Sequence, residues 1–505
     1  MHLPPLNAYI PIHNCLLTHS DPMKLSFAIA ALLISVVGAP AAQEAPAETK
    51  PNIVFILVDD QRNDTLGCAG HPVIKTPNVD RLAARGVRFE NMFVNTSICM
   101  ASRATIFSGL TETSHGFTGG PWPATPLQKM DVDTSFPVLL RKAGYRNGFY
   151  GKQHVKFAEK TEVALRRMFH DHKVYNGGPH HVKLADGSKR HTAELVGDRS
   201  VAFLESQPKG QPFCLYMSFN IAHARDGDHR PGIGHFPWPK AVDGLYDDLD
   251  PAVPRLGDSK YFEMQPEFLR KSMNRDRWFW RWDTPEKYKL NMRAYYRMLT
   301  GMDGVIGRVQ KTLQEKEFTE NTVIIYTADN GYYMGDRGFA GKWSHYEESL
   351  RVPLIIDDPR RRNKKRNRLV SQMVMNLDLP ATMLDFAGVA VPKKYQGRSL
   401  VPIVRGQSPT SWRTDLFNEH HFNHPSIPKW RGVRGERFTY ARYYEQDPVY
   451  EFLHDLKNDP DQTKNLAKDP KHAAVLQRMR ARTEEYSRKY IRPEIVELKK
   501  SARKR

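Results

Sequence analysis

Long apolar runs are nearly absent from this sequence. The stretch from Leu25 to Gly38 is apolar apart from Ser26 and Ser35, and its 14 residues are too few to cross a bilayer. A mean hydropathy of −0.58 excludes a polytopic membrane protein. Cysteine is scarce too. Four residues, Cys15, Cys68, Cys99 and Cys214, cannot staple a chain of 505 residues. They also lack the CxxC or Cys/His clustering of a structural zinc site. Acidic residues are in deficit, with 56 Asp plus Glu against 75 Lys plus Arg, for a net charge of +19. Such an excess favours polyanions or anionic surfaces. Nucleic acid is the rival partner, but zinc-finger, basic-zipper and RNA-binding signatures are all missing, which argues against it. What is present is 40% hydrophobic and 10% aromatic residues. That is enough for a large packed core and excludes a disordered or collagen-like chain.

The apolar run near the N-terminus reads as an export signal. Lys24 precedes it and Ala39-Pro40-Ala41 follows as a small-residue cleavage site. Residues 1–42 are therefore assigned to the signal, with Met23 as its natural start. Residues 43–50 (QEAPAETK) form a short linker. The mature chain is expected in the periplasm or outside the cell, with no integral membrane segment. The basic run from Arg360 to Arg368 reads as a solvated loop, and residues 493–505 as a frayed basic tail.

The middle of the chain alternates strands and helices. Residues 52–58 (NIVFILV) are continuously apolar and end in Asp59-Asp60, the pattern of a parallel strand buried on both faces. Residues 213–219, 322–327 and 353–357 repeat it, the first ending near His223 and the second in Asp329-Asn330. Helices are expected from Thr76-Pro77 to Gly86, over 134–143, 191–206 and 285–314. The fold class is α/β: a large, mixed, mostly parallel sheet sandwiched by helices, over residues 51–405. Beyond residue 405, segments 433–442 and 449–456 alternate like antiparallel strands, and a charged helix follows at 470–490. This predicts a smaller C-terminal α+β subdomain over residues 406–492.

In open α/β sheets, ligands bind at the carboxyl ends of the strands. Asp59, Asp60, Asp329 and Asn330 all fall at such ends. As hard oxygen ligands they suit Ca²⁺ or Mg²⁺ rather than zinc. Asp and Asn also end strands simply as turn formers. Two such pairs on two apolar strands favour convergence on one site.

Cys99-Met100-Ala101-Ser102-Arg103 fits C-x-(P/A)-x-R, the signature with which sulfatases make formylglycine. The surroundings resemble the same family at PNIVFILVDDQR (51–62), TPNVDRLAARGVRFENMFV (76–94), GFYGKQHVK (148–156) and FCLYMSFNIAH (213–223). The resemblance continues through TADNGYYMGDRGFAGKWSHYEESLRVPLII (327–356), NLDLPATMLDFAGV (376–389), QGRSLVPI (396–403) and HDLKNDPDQTKNLA (454–467). It covers nearly the whole mature chain in family order. It identifies the chain as similar to the formylglycine-dependent, arylsulfatase-like members of the alkaline phosphatase superfamily.

The resemblance implies that Cys99 is oxidised to an aldehyde, 3-oxoalanine, which hydrates to a geminal diol. One hydroxyl, acidified by a metal, attacks sulfur, and the other expels sulfate. It further implies that Asp59, Asp60, Asp329 and Asn330 ligate one Ca²⁺, with Mg²⁺ as the alternative, and that modified Cys99 adds an oxygen. Arg103 and Lys152 would hold the nucleophile and balance charge. His154 would bond the diol, while His223 and Lys342 contact sulfate. His223 is expected to protonate the leaving oxygen and Lys342 to neutralise the sulfuryl oxygens. The implied partner in maturation is a formylglycine-generating or anaerobic sulfatase-maturing enzyme. Ala101 stands where proline is more frequent, which leaves the maturation route open. Gln153 replaces the usual tryptophan and Ala222 the usual proline. Cys68 and Cys214 are expected as reduced structural thiols.

Substrate residues are less legible. Trp278, Phe279, Trp280 and Trp282 interleave with Arg275, Arg277 and Arg281, a mixture that suits sulfated sugars or a helix packed on the core. His420, His421, His424 and Trp430 lie where the C-terminal subdomain would overhang the site. Trp280, Trp282, His421 and Trp430 are the candidate substrate contacts. Three functions stay open: a sulfatase acting on sulfated poly- or oligosaccharide, a phosphonate or phosphate ester hydrolase on the same fold, and a catalytically silent polyanion-binding protein.

Overall fold

Asn52–Val58 (β1), six of its seven residues apolar, forms a strand with every residue buried. The computed structural model describes residues 50–117, 132–157, 159–176, 180–227, 234–361 and 367–491. The export signal, most of the linker, part of the Arg360–Arg368 run and the basic tail lie outside the described residues. Strand β1 is paired in parallel on both sides, with Phe213–Ser218 on one flank and Thr322–Ala328 on the other. A strand so enclosed has both faces covered, which is why it reads as a continuous apolar run.

The sheet has eight strands. After β1 come Val87–Phe89 (β2), Arg146–Gly151 (β3), Asp171–Val174 (β4), Phe213–Ser218 (β5), Thr322–Ala328 (β6), Leu354–Asp357 (β7) and Arg368–Val370 (β8). Their order across the sheet is β8-β2-β7-β6-β1-β5-β3-β4. All neighbours are parallel except β7, which runs against both β2 and β6. The mixed, mostly parallel sheet matches the expected fold class.

Alternation along β3 shows that both faces are covered. A Cβ on Gly148 would meet the Phe203 ring 2.9 Å away. The next residue, Phe149, points the other way and packs against Phe107, with ring centroids 6.5 Å apart. Phe203 belongs to Thr192–Glu205, and Phe107 to Cys99–Ser108. The helices used below are Pro77–Arg85 (α1), Cys99–Ser108 (α2), Phe136–Lys142 (α3), Thr192–Glu205 (α4), Met273–Arg281 (α5), Pro285–Glu315 (α6), Asp378–Phe386 (α7) and Ala473–Tyr490 (α8). Helices α1, α4 and α6 pack together over one face, and α2, α3 and α7 over the other.

The C-terminal part is a four-stranded antiparallel meander: Asp415–His420 (β9), Trp430–Gly435 (β10), Phe438–Tyr443 (β11) and Tyr450–Asp455 (β12). The segment 433–442, expected as one strand, is a hairpin that folds back at Glu436-Arg437. The apolar positions change phase at this turn, from Val433 to Phe438 and Tyr440, a break that ten residues read as one strand conceal. Helix α8 covers this sheet around Phe417, Val433, Tyr440, Leu453, Leu476 and Met479. Direct bonds tie the two sheets together. Trp430 Nε1 donates to Trp343 O at 2.8 Å, Glu419 N to Asn95 O at 3.0 Å, and Arg434 pairs with Glu347 at 2.7 Å. The described residues from Lys50 onward fall in one compact unit. Among them no helix is long and apolar enough to cross a membrane, and Cys68, Cys99 and Cys214 are free thiols.

Candidate functional site

The site lies where β1, β6, β3 and β5 end. Asp59 follows β1 directly and Asp329 follows β6. Strand register places Val58 opposite Ala328, so the two acidic pairs leave the sheet side by side. Asp60 adopts φ +52°, which turns its side chain back across the sheet end. Its amide then donates to Asp329 Oδ1 at 3.4 Å, and Asn330 Nδ2 donates to Asp60 Oδ1 at 2.6 Å. All four side chains are fully buried or nearly so.

Cys99 opens α2 on the opposite side of this cluster, after Ile98 as the cap. The first-turn amides of a helix lack intrahelical partners and carry partial positive charge. Arg103 sits four residues on, on the same helical face. Its guanidinium reaches five groups, the Phe219 carbonyl at 3.5 Å among them. Nε donates to Asp329 Oδ2 at 2.8 Å, and Nη1 to Lys152 O at 2.7 Å and Ser218 Oγ at 2.6 Å. Nη2 lies 3.8 Å from Asp59 Oδ2.

Lys152 follows β3 immediately. Gly151 is required there: it has φ +119°, and a Cβ would fall 1.8 Å from Ser218 O. That close approach lets Lys152 N donate to the same oxygen at 2.7 Å. Lys152 Nζ pairs with Asp59 Oδ2, and Lys342 Nζ with Asp60 Oδ1. His154, at φ +51°, places Nδ1 3.2 Å from Cys99 Sγ. His223 lies beyond β5. Its Nδ1 is 2.7 Å from Ala224 O, so Nδ1 carries the proton that donates to that carbonyl, and Nε2 faces the pocket. Nε2 is 3.9 Å from both Asp60 Oδ2 and Asp226 Oδ2.

The electrostatics follow from burying opposite charges together. Burial acts to raise Asp59, but Lys152, His223, Lys342 and Arg103 outweigh it and hold the carboxyl far below its usual range. Asp329 goes the other way: burial first, then repulsion from Asp59, pushes it up to about 8. Burial and then the Lys152 and Arg103 charges push His154 down to about 3, so it is neutral near pH 7. Lys342 is raised: burial works against its charge, but Asp60 outweighs that cost.

Three buried oxygens in this cluster have no hydrogen-bond partner among the described residues: Asp59 Oδ1, Asp60 Oδ2 and Asn330 Oδ1. Buried acceptors are normally paired, so such orphans mark a missing partner. Two carboxylates and an amide offer only lone pairs there, which fits a hard divalent cation. Ligand atoms of Asp59, Asp60 and His223 also lie within 4.8 Å of one another. The residues present therefore suit a bound metal.

The outer residues divide. Loop 421–427 overhangs the nucleophile: Phe422 and Ile427 pack with Cys99, Ala101 and Trp343. Two candidate substrate contacts need correction. Trp282 is only 4% exposed and packs against Phe236 and Tyr288, so it is a core residue. Trp430 is 1% exposed, and its indole N–H is spent on Trp343 O. Both rings satisfy the apolar demand of the interior, the competing reading of an aromatic cluster. His421 has both ring nitrogens engaged, Nδ1 at 2.6 Å from Tyr444 Oη and Nε2 at 2.8 Å from Glu419 Oε2. It braces the seam between the sheets. Trp280 stays half-buried under the Arg281 guanidinium. Sequence reasoning missed Ser218 and Asp226. Both are single polar residues at or beyond a strand end, with no spacing pattern to mark them.

Comparison with known proteins agrees with this geometry. A family model described as Sulfatase matches residues 51–389. A second, N-sulphoglucosamine sulphohydrolase, C-terminal, matches residues 335–489. An N-acetylglucosamine-6-O-sulfatase of Bacteroides thetaiotaomicron is 27% identical over 93% of this chain and 92% of its own. An arylsulfatase of Clostridium perfringens is 29% identical over 83% and 90%. A solved structure holding its substrate, D-glucosamine-2-N,6-O-disulfate, matches with TM-score 0.73 at 24% identity, over 87% of this chain and 98% of that one. At that identity the likeness is one of fold.

Proposed function

The chain belongs to the sulfatase family and is a sulfuric ester hydrolase, and on that premise we propose that it releases sulfate from a sulfated glycan with a nucleophile made from Cys99. The observation that carries this reading is the setting of Cys99. Its Sγ lies 3.2 Å from His154 Nδ1, above a ring of buried cations and three unpaired oxygens. An ordinary buried thiol needs neither.

Oxidised to formylglycine by a maturation enzyme and hydrated, residue 99 would supply a hydroxyl to attack sulfur and a second to expel the product. Asp59, Asp60, Asp329 and Asn330 would hold the metal, Ca²⁺ with Mg²⁺ as the alternative, which supplies Lewis acidity and charge. The protein's own groups divide the remaining work. His154, neutral near pH 7, accepts a proton from residue 99. Arg103 fixes Asp329 and the Lys152 carbonyl in one grip, and so holds the cradle rigid. Lys342 offsets negative charge on the sulfuryl oxygens. The fixed Nδ1–H of His223 leaves Nε2 to carry the proton that goes to the departing alkoxide.

The substrate class rests on the net charge of +19 and on the glycan-directed names of the relatives. Export rests on the signal within residues 1–42, and the division at residue 405 on the two sheets. The test is the mass of the tryptic peptide Phe89–Arg103 from protein made with a maturation enzyme, followed by paired rates on sulfate, phosphate and phosphonate esters. Aldehyde at position 99 and preference for the sulfate ester are expected. An unmodified thiol in active protein refutes the nucleophile. A faster phosphonate ester shifts the reading to that chemistry, and glycan binding without turnover to a silent polyanion binder.

A further inference from the structure

A second charge cluster adjoins the leaving-group side of the pocket and has no part in the steps above. Asp226 is gripped by two guanidinium groups. Arg277 Nη2 lies 2.6 Å from its Oδ2, and Arg281 Nη2 bonds its Oδ1. Both arginines project from α5, four residues apart on one face. Arg281 is fully buried and also reaches Tyr332 Oη at 3.3 Å. Arg277 is different. Its side chain is 13% exposed, against 1% for Arg103, 4% for Lys152 and 2% for Lys342. Its guanidinium lies 4.6 Å from the centre of the Trp343 ring, next in sequence to Lys342 and packed with Cys99. Its Nε has no hydrogen-bond partner among the described residues.

The charge balance gives this cluster meaning. Among the described residues, five cations, Arg103, Lys152, Lys342, Arg277 and Arg281, face four acids, Asp59, Asp60, Asp329 and Asp226, and a divalent cation held by the first three would add to the positive side. The surplus is positive, and Arg277 is the member of the five that solvent touches most. Asp226 Oδ2 is 3.9 Å from His223 Nε2, so the surplus lies where the departing sugar would be protonated. A planar fork stacked on an aromatic ring is well suited to a carboxylate or sulfate.

We propose that Arg277 is a specificity-determining residue that binds a second anionic group, carboxylate or sulfate, on the sugar bearing the scissile sulfate. The proposal rests on the sulfatase reading above and extends it. Asp226 holds the guanidinium in place without neutralising both arginines, and Trp343 fixes its plane.

Two matched substrate pairs test this with fully matured enzyme: D-glucosamine-2-N,6-O-disulfate against N-acetylglucosamine-6-O-sulfate, and a 2-O-sulfated uronate against its carboxyl-reduced form. The readout is the ratio of kcat/KM within whichever pair releases sulfate. Wild type should favour the doubly charged member about tenfold to a hundredfold, the range of a charge-assisted hydrogen-bonded pair. Arg277→Ala should collapse that ratio mainly through KM, and Arg277→Lys, which keeps charge but loses the fork, should restore part of it. A ratio near one in wild type overturns the inference. So does a ratio that Arg277→Ala leaves intact while thermal unfolding shows the variant folded. No sulfate release from all four sugars by matured wild type that still hydrolyses an aryl sulfate overturns the glycan reading on which the inference rests, a distinct outcome.

Discussion

Replacing Gly151 by alanine adds one methyl group at the point that delivers Lys152 to the site. The residue holds φ +119°, and the new Cβ would fall 1.8 Å from Ser218 O and 2.7 Å from its carbonyl carbon. Neither neighbour is a flexible side-chain end, so backbone has to move. The strained φ costs about 1–3 kcal/mol for a residue with a Cβ. Parting β3 from β5 also breaks the 2.7 Å bond from Lys152 N to Ser218 O, and a buried group left unpaired costs about 1–3 kcal/mol. The sum is a loss of about 2–6 kcal/mol. Gly144 provides the control. It too has a left-handed φ, +91°, but an added Cβ meets nothing within 4 Å. Gly144→Ala therefore carries only the conformational term, about 1–2 kcal/mol. Urea unfolding of both variants measures the difference, which should reach about 2 kcal/mol. Sulfate release should fall about 100-fold in Gly151→Ala, as a shift near 1 Å at a catalytic group commonly costs. Equal destabilisation of the two variants, or a Gly151→Ala enzyme with wild-type turnover, would falsify the claim that this contact seats Lys152.

The other expectations concern the metal and its cradle. Removing divalent cations with a chelator should lower the unfolding midpoint and abolish turnover; Ca²⁺ at 100 times its dissociation constant should restore about 2.7 kcal/mol, and an unchanged melting curve would count against the site. In cation-free protein Asp329 holds its proton up to about pH 8. Cation binding at pH 7 should therefore release close to one proton and weaken as pH falls, which calorimetry in buffers of different ionisation enthalpy reads directly. The sign for the cation-free fold is the reverse of a salt-bridged acid. A raised carboxyl stabilises the fold below its unfolded value near 4, and that stability is lost as pH climbs through 8. Arg103→Lys keeps the charge but cannot reach Asp329, the Lys152 carbonyl and Ser218 together, and should cost about 2–4 kcal/mol in urea unfolding; a loss under 1 kcal/mol would contradict the shared grip.

The elements legible in the sequence are those whose environment is uniform along their length. Strands β1 and β6 are buried on both faces, so continuous apolar runs marked them almost to the residue. Helix α1 was marked by Thr76, Pro77 and Gly86, whose backbone roles are local. The two Asp-bearing strand ends could be seen to point one way because parallel strands end together. What stayed hidden depends on contacts made far along the chain. Strand β3 reads RNGFYG, and its glycines look like turn residues. Gly148 makes room for Phe203 and Gly151 for Ser218, neither visible nearby in sequence. Strands β2, β4 and β8 are three or four residues long, too short for a period to register. Trp282 and Trp430 looked like sugar platforms because an aromatic on a helix or strand carries no sign of which side is solvent. Asp226 gave no signal, since a lone acid in a loop is ordinary until two arginines from a helix 50 residues later close on it.

Cys99 is 4% exposed, and nine of the ten residues of its helix are buried. A sealed thiol is out of reach of any other enzyme's active site. The proposed conversion of residue 99 would therefore be a race between two clocks, one set by the modifying catalyst and the other by the closing of α2 onto the sheet. On that proposal the share of active molecules in a preparation would be fixed by which clock runs faster during synthesis. Slowing the collapse of this domain would raise specific activity, and hastening it would yield well-folded, permanently inert protein.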